Sequence, residues 1–175
     1  NECLELVPIL HSSEYWSSPT ASAATSFESI KFVTARGTES GYVAVYPTSL
    51  ISVYGSNESV SATTATASTV GIPSADLQTL IFAAAATYRF PTESPRKRFF
   101  LVDQPISFCD DADGRLWRYQ NYGFNLDSTS SLPTSGNNRV LIADSLKTNS
   151  LKFNIIPAQL QRNAVVRMSF IIERG

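Results

Sequence analysis

The sequence predicts a fold made mostly of antiparallel β-sheet, on three observations. Short apolar runs are cut by turn residues along the whole chain. Apolar and polar residues alternate with period two in several of these runs. No apolar run reaches the roughly 18 residues that read as a membrane-spanning helix. The 175 residues suffice for one domain with its own core, taken as residues 1–175.

The elements follow in order. Leu4 to Ile9 reads as a first strand, ended near Pro8. Phe27 to Thr34 alternates moderately, and Tyr42 to Tyr46 is a Val- and Tyr-rich strand stopped by Pro47. Leu50 to Tyr54 reads as another strand, stopped by Gly55. Residues 55–71 hold Ser, Thr, Ala and Val with no large apolar anchor, and read as a surface loop or mobile insertion, with an edge hairpin as the alternative because Thr and Val favour strands. Residues 73–86 are ambiguous. Ser74 suits an N-cap with Leu77, Leu80, Ile81 and Ala84 at helical spacing, while Thr79 to Phe82 suits a short buried strand.

Arg98 to Cys109 and Arg115 to Tyr122 make the clearest hairpin, with turn residues in Asp110-Asp111-Ala112-Asp113-Gly114. In its second arm Leu116 and Arg118 point one way, Trp117 and Tyr119 the other. Residues 127–138 read as a second loop. Leu151, Phe153 and Ile155, then Val166, Met168, Phe170 and Ile172, give a C-terminal strand pair.

Composition narrows the chemistry. Formal net charge is -1, which gives no electrostatic footprint for nucleic acid. The dense basic stretch Arg96-Lys97-Arg98 reads as a solvated turn before a strand. His11 is the one histidine and lies beside Ser12 and Ser13, with no Gly-x-Ser-x-Gly elbow in the chain. The carboxylates are scattered, and no phosphate-binding loop is present. No catalytic constellation emerges, so the expectation is a protein that is not an enzyme.

Three groups of residues remain as candidate sites. Asp110, Asp111 and Asp113 form an acidic cluster that, with Gly114, resembles half of a calcium loop. Arg115 and Arg118 follow it and no closing Glu does, so a plain turn competes with a weak Ca²⁺ site. Trp16, Trp117 and Tyr119 are a candidate platform for a surface glycan, against the alternative of core packing. Cys3 and Cys109 either form one bridge, which would point to an oxidising compartment, or are two separate buried thiols.

Two stretches carry a family resemblance. One runs from Phe90-Pro91-Thr92-Glu93-Ser94-Pro95 through Arg96-Lys97-Arg98 and Phe99 to Val102, then Pro105-Ile106-Ser107-Phe108-Cys109. The other is Gly114-Arg115-Leu116-Trp117-Arg118-Tyr119-Gln120-Asn121-Tyr122-Gly123-Phe124. Together they resemble the minor pilins of mannose-sensitive haemagglutinin (MSHA) type IV pili, of the MshO type. Cys3-Leu4-Glu5-Leu6-Val7-Pro8 is similar to that family's stretch after its N-terminal helix. Pro157, Gln161-Arg162-Asn163 and Val165-Val166-Arg167-Met168 are similar to its C-terminal strand pair. The match covers about half of the chain, in order.

The resemblance implies an α+β pilin-like head, mostly antiparallel sheet here, whose N-terminal apolar helix is missing from a chain that starts at Asn1. It implies that Cys3 and Cys109 are joined, tying the start of the head to the central hairpin. It also implies a structural subunit in the priming, assembly or tip complex of a pilus, held first in the inner membrane facing the periplasm and then at the cell surface. Other minor pilins and the major pilin would be its partners, with no cofactor. Two alternatives stand beside it: a J-type pseudopilin of the type II secretion system, and a carbohydrate-binding β-sandwich adhesin.

Overall fold

A strand sends successive side chains to opposite faces, so an alternating run buries one face only against neighbours that alternate in step. Twelve such strands pair in the computed structural model, which describes residues 2–33, 38–54, 59–69, 75–125, 132–157 and 165–173. They are β1 (Cys3–Leu6), β2 (Ile9–Glu14), β3 (Ser26–Ile30), β4 (Ser40–Val45), β5 (Val60–Ser68), β6 (Leu77–Phe82), β7 (Arg98–Val102), β8 (Ile106–Asp110), β9 (Leu116–Tyr119), β10 (Arg139–Ala143), β11 (Lys152–Ile156) and β12 (Val165–Ser169). The chain divides into two compact units. One comprises Asn1–Leu6, Pro105–Gly123 and Thr129–Gly175, and the other Val7–Gln104 with Phe124–Ser128. The second is thus inserted between β1 and β8 of the first.

The inserted unit is a six-stranded antiparallel sheet in the order β2-β7-β4-β5-β6-β3. Its two outer strands meet. Tyr15 and Ser29 form a bridge, Trp16 N–H donates to the Glu28 carbonyl at 2.7 Å, and the Ser13 hydroxyl donates to the Ile30 carbonyl at 2.7 Å. The sheet therefore closes into a small barrel. A barrel this narrow has no lumen, and side chains fill it. Phe27, Val43, Val45, Ala65, Leu80, Phe82, Phe99 and Leu101 are buried there, with Tyr15, Phe32 and Phe90 beside them. Phe27 meets Phe99 edge to face, ring centroids 5.3 Å apart. Gln78 is also buried, and its amide donates to Ser29 Oγ at 3.2 Å.

A second cluster lies on the outer face of β4, β5 and β7. Ala44, Val60 and Val102 are covered there by Val7, Tyr42, Val53, Phe100 and Phe124. Val53 belongs to α1 (Leu50–Tyr54), one turn of helix where the sequence suggests a strand. The reason is local: the Ser52 N–H donates to Ser49 Oγ at 3.1 Å while the Ser49 N–H donates to Ser52 Oγ at 2.9 Å. This reciprocal pair caps a helix start and makes the helical turn the better-satisfied state.

Three further expectations need correction. The α+β pilin-like head is overturned, because among the described residues three antiparallel sheets carry the fold, α1 is the only α-helix, and no long helix lies on a sheet. The surface loop at 55–71 is mostly β5, an interior strand of the barrel, with residues 55–58 and 70–71 outside the described residues. Its small side chains are the thin wall that lets the phenylalanines fit: Ala65 is fully buried opposite Gly41 and Phe82. The long arm Arg98 to Cys109 is two strands, β7 in the barrel and β8 in the other unit. Residues 77–82 settle as strand, with Gln78, Leu80 and Phe82 inward. Ser74 and Gln161-Arg162-Asn163 lie outside the described residues.

The first unit holds a four-stranded sheet in the order β1-β8-β9-β10 and the pair β11-β12. Its core is Leu116, Leu146 and Leu151, with Phe108, Ala143, Phe153 and Phe170 packed against them. The β8–β9 turn is pinned to this core, since Leu146 N–H donates to the Gly114 carbonyl at 2.8 Å. Gly114 has φ +73°, and a Cβ there would stand 2.6 Å from the Leu146 carbonyl oxygen. No helix among the described residues is long and apolar enough to cross a membrane.

Cys3 and Cys109 are register partners in β1 and β8 and are joined by a disulfide, Cα atoms 4.2 Å apart. Asp110 N–H donates to the Glu2 carbonyl, so the neighbouring Cys3–Cys109 pair is the closely spaced kind without hydrogen bonds. The bridge spans a separation of 106 residues and thus encloses the whole barrel segment. Replacing both cysteines by serine is expected to cost roughly 4–5 kcal/mol in the chain-entropy account, read as a lowered denaturant midpoint. Gly114→Ala should destabilise by more than about 1 kcal/mol, seen as a lower melting temperature, because the turn must move away from the Leu146 carbonyl.

Candidate functional site

The disulfide sets one face of the four-stranded sheet. Because side chains alternate, Cys3 and Glu5, Cys109 and Ser107, Trp117 and Tyr119, and Arg139 and Leu141 share this face across the register. Three polar arrangements are built on it.

The first starts in the β8–β9 turn. Asp111 Oδ1 accepts the N–H groups of Asp113 at 3.0 Å and Arg115 at 2.9 Å, an Asx-type closure that the Asp-Ala-Asp-Gly run favours. Its other oxygen accepts Trp117 Nε1–H at 2.7 Å. Burial pulls the Asp111 carboxyl upward, yet the Trp117 bond, the two backbone bonds and the nearby Arg115 charge hold it below its ordinary value. The Trp117 ring is then covered by the Arg139 guanidinium, 3.6 Å from the ring centroid. Arg139 also donates to the Thr134 carbonyl at 2.9 Å.

The second is the Glu5–Ser107–Tyr122 cluster. Tyr122 donates to Glu5 Oε2 at 2.7 Å, and Ser107 Oγ lies 3.2 Å from that oxygen and 2.6 Å from the Tyr122 hydroxyl. Burial, and then the adjoining Glu5 carboxylate, raise the Tyr122 phenol above its ordinary value, so it stays a donor.

The third is a cleft of about 320 Å³ against the disulfide, walled by Asp110, Asp111, Tyr119, Arg139 and residues 132–134. Tyr119 is only 9% exposed. Burial raises its phenol, with the Arg139 charge pulling the other way, so it is a neutral hydroxyl here.

The sequence-stated candidates fall unevenly on this face. Cys3 and Cys109 are joined. Trp117 and Tyr119 share the face, but Trp117 has its indole N–H bound by Asp111 and one ring face taken by Arg139. Trp16 belongs to the barrel unit and is 67% exposed. The aspartates do not converge: Asp110 accepts the Glu2 N–H, Asp111 is bound as above, and Asp113 pairs with Arg115 at 3.1 Å. Among the described residues no group of three or more His, Cys, Asp or Glu side chains is placed to hold a metal. His11, in the barrel, stacks on Phe32 with centroids 4.6 Å apart and meets Glu39 at 3.1 Å.

Arg139 and Thr134 are the residues that sequence reasoning passed over. The available signal was the one charged residue heading the apolar run Val140-Leu141-Ile142. Comparison of the chain with protein-family models, with curated proteins and with solved structures finds no match.

The Asp111 bonds are strongest with the carboxylate ionised. With a folded-state value below the unfolded one, their stabilisation is full above the unfolded value and is lost as pH falls through the folded one. The wild-type chain should therefore lose stability below about pH 4 more steeply than Asp111→Asn. Equal slopes in acid titrations followed by circular dichroism would contradict this assignment.

Proposed function

We propose that this chain is the head of a minor pilin, a structural subunit of an MSHA-type type IV pilus that acts in priming, assembly or the tip complex and catalyses no reaction. The carrying observation is the Cys3–Cys109 bridge, the pairing that the resemblance requires between two cysteines 106 positions apart. The matched segments add support. Of the matched Cys3–Pro8, residues Cys3–Leu6 are β1; Pro105–Cys109 includes β8, Gly114–Phe124 covers the turn and β9, and Val165–Met168 lies on β12. Except for Val7, Pro8 and Phe124 these stretches, remote in sequence, belong to one compact unit. The matched Phe90–Gln104 stretch belongs to the barrel unit.

In this reading the protein is anchored in the inner membrane facing the periplasm before assembly, and it reaches the cell surface within the filament. Its partners are the other minor pilins and the major pilin. Docking of subunits needs surfaces rather than nucleophiles, which suits a sheet whose polar groups are mostly bound to one another. A stacking platform for glycans is not favoured, because Trp117 is clamped on both its N–H and a ring face.

Deleting the gene in the source bacterium should sharply reduce surface filaments counted by electron microscopy. The wild-type gene should restore them, and the Cys3→Ser/Cys109→Ser double variant should restore fewer. Unchanged filament numbers in the deletion strain would sink the proposal.

A further inference from the structure

The two halves of the disulfide sit in unlike surroundings. Cys3 lies on β1, an edge strand of the four-stranded sheet, and is exposed. Among the described residues β1 pairs only with β8. Cys109 lies on β8, an interior strand, and is 4% exposed. One half of the bond is open to a reagent in solution, and the other is not.

Thiol–disulfide exchange turns that difference into chemistry. An attacking thiolate approaches one sulfur from the side away from the other, and the rate depends on which sulfur it can reach. On the far side of Cys3 the sheet ends. On the far side of Cys109 stands its register partner on β9, Trp117. That ring is held in place: Asp111 accepts its N–H at 2.7 Å, and the Arg139 guanidinium covers one face, 3.6 Å from the centroid. The cleft of about 320 Å³ against the bridge gives no easier route to Cys109. Asp110 and Asp111 line it with Arg139 as the one cation, so an anionic thiolate meets net repulsion there.

The released sulfur would not drift far. Leu4 stays opposite Phe108 and Leu6 opposite Ile106, and the two cysteine Cα atoms are 4.2 Å apart. This register keeps Cys109 positioned to attack a mixed disulfide on Cys3 and expel the newcomer.

We propose that the bridge exchanges with thiols in the folded protein and that Cys3 is the sulfur attacked. The thiolate bonds to Cys3 Sγ, the Cys3–Cys109 bond breaks, and Cys109 leaves as a thiolate that takes a proton from water. A monothiol stays on Cys3 as a mixed disulfide. A dithiol goes further: its second sulfur attacks the first, Cys3 is freed as a thiol, and the dithiol is oxidised to a disulfide. The partner that fits is therefore a dithiol reductant, able to outrun reclosure by Cys109. The site does not depend on the pilin reading.

The test treats the whole chain with 2-mercaptoethanol in native buffer and again in urea, with circular dichroism reporting the fold. Acid stops the exchange, N-ethylmaleimide caps the free thiols, and mass spectrometry maps both labels. In native buffer, adducts with 2-mercaptoethanol on Cys3 and maleimide on Cys109 should outnumber the reverse pattern about tenfold, because access decides the sulfur. In urea the two patterns should become comparable. Trp117→Leu, with native circular dichroism, should lower the native ratio severalfold; an unchanged ratio overturns the shielding by that ring. Comparable patterns in native buffer mean that exchange needs the unfolded chain, and they end the proposal. A majority of adducts on Cys109 overturns the choice of sulfur. Adducts in urea with none in native buffer mean that the folded bridge is sealed, and they end the proposal as well.

Discussion

The fold rests on one pairing, that of β1 with β8. These strands are register partners although the chain between them carries an entire barrel. Bringing such distant residues together costs loop-closure entropy before any contact rewards it. Two devices lower that cost. The disulfide removes it from the unfolded ensemble. The barrel supplies the second, since its own closure brings Pro8 and Asp103 together, the Asp103 N–H donating to the Pro8 carbonyl at 2.9 Å. An insertion whose two ends lie side by side can be accommodated without disturbing the sheet that receives it.

The two units treat the edges of their sheets differently. In the barrel, the Tyr15–Ser29 bridge joins first strand to last, so few backbone groups face outward for want of a neighbour. The four-stranded sheet stays open, with β1 and β10 as its edges. Polar side chains cluster on one of its faces and the leucine core on the other.

Much of this architecture was legible in the residues, and the failures have physical causes. The β8–β9 hairpin follows from the Asp-Ala-Asp-Gly turn and from Trp117/Tyr119 alternation, and it stands as expected. The joined cysteines also stand, but on the resemblance, since nothing local links positions 106 apart. The 60–68 stretch misled because burial usually announces itself through large apolar residues, whereas here Ala65 is buried to make room for aromatics on other strands. Leu50–Tyr54 misled because the Ser49–Ser52 cap outweighs the strand preference of the apolar residues that follow. The cleft was hidden for a different reason: Tyr119, Arg139 and Thr134 come from segments that only the register of β8, β9 and β10 brings together.

The 106-residue separation of the two sulfurs also dictates an order of events during synthesis. At roughly 5–20 residues per second, Cys3 is made some 5–20 s before its partner. All six barrel strands lie between the two, so the barrel has its complete sequence while Cys3 is still a lone thiol. If anything captures that thiol first, the native bridge is lost. In the folded barrel the bond from the Asp103 N–H to the Pro8 carbonyl holds the two flanking chain segments side by side, which places Cys109 beside Cys3.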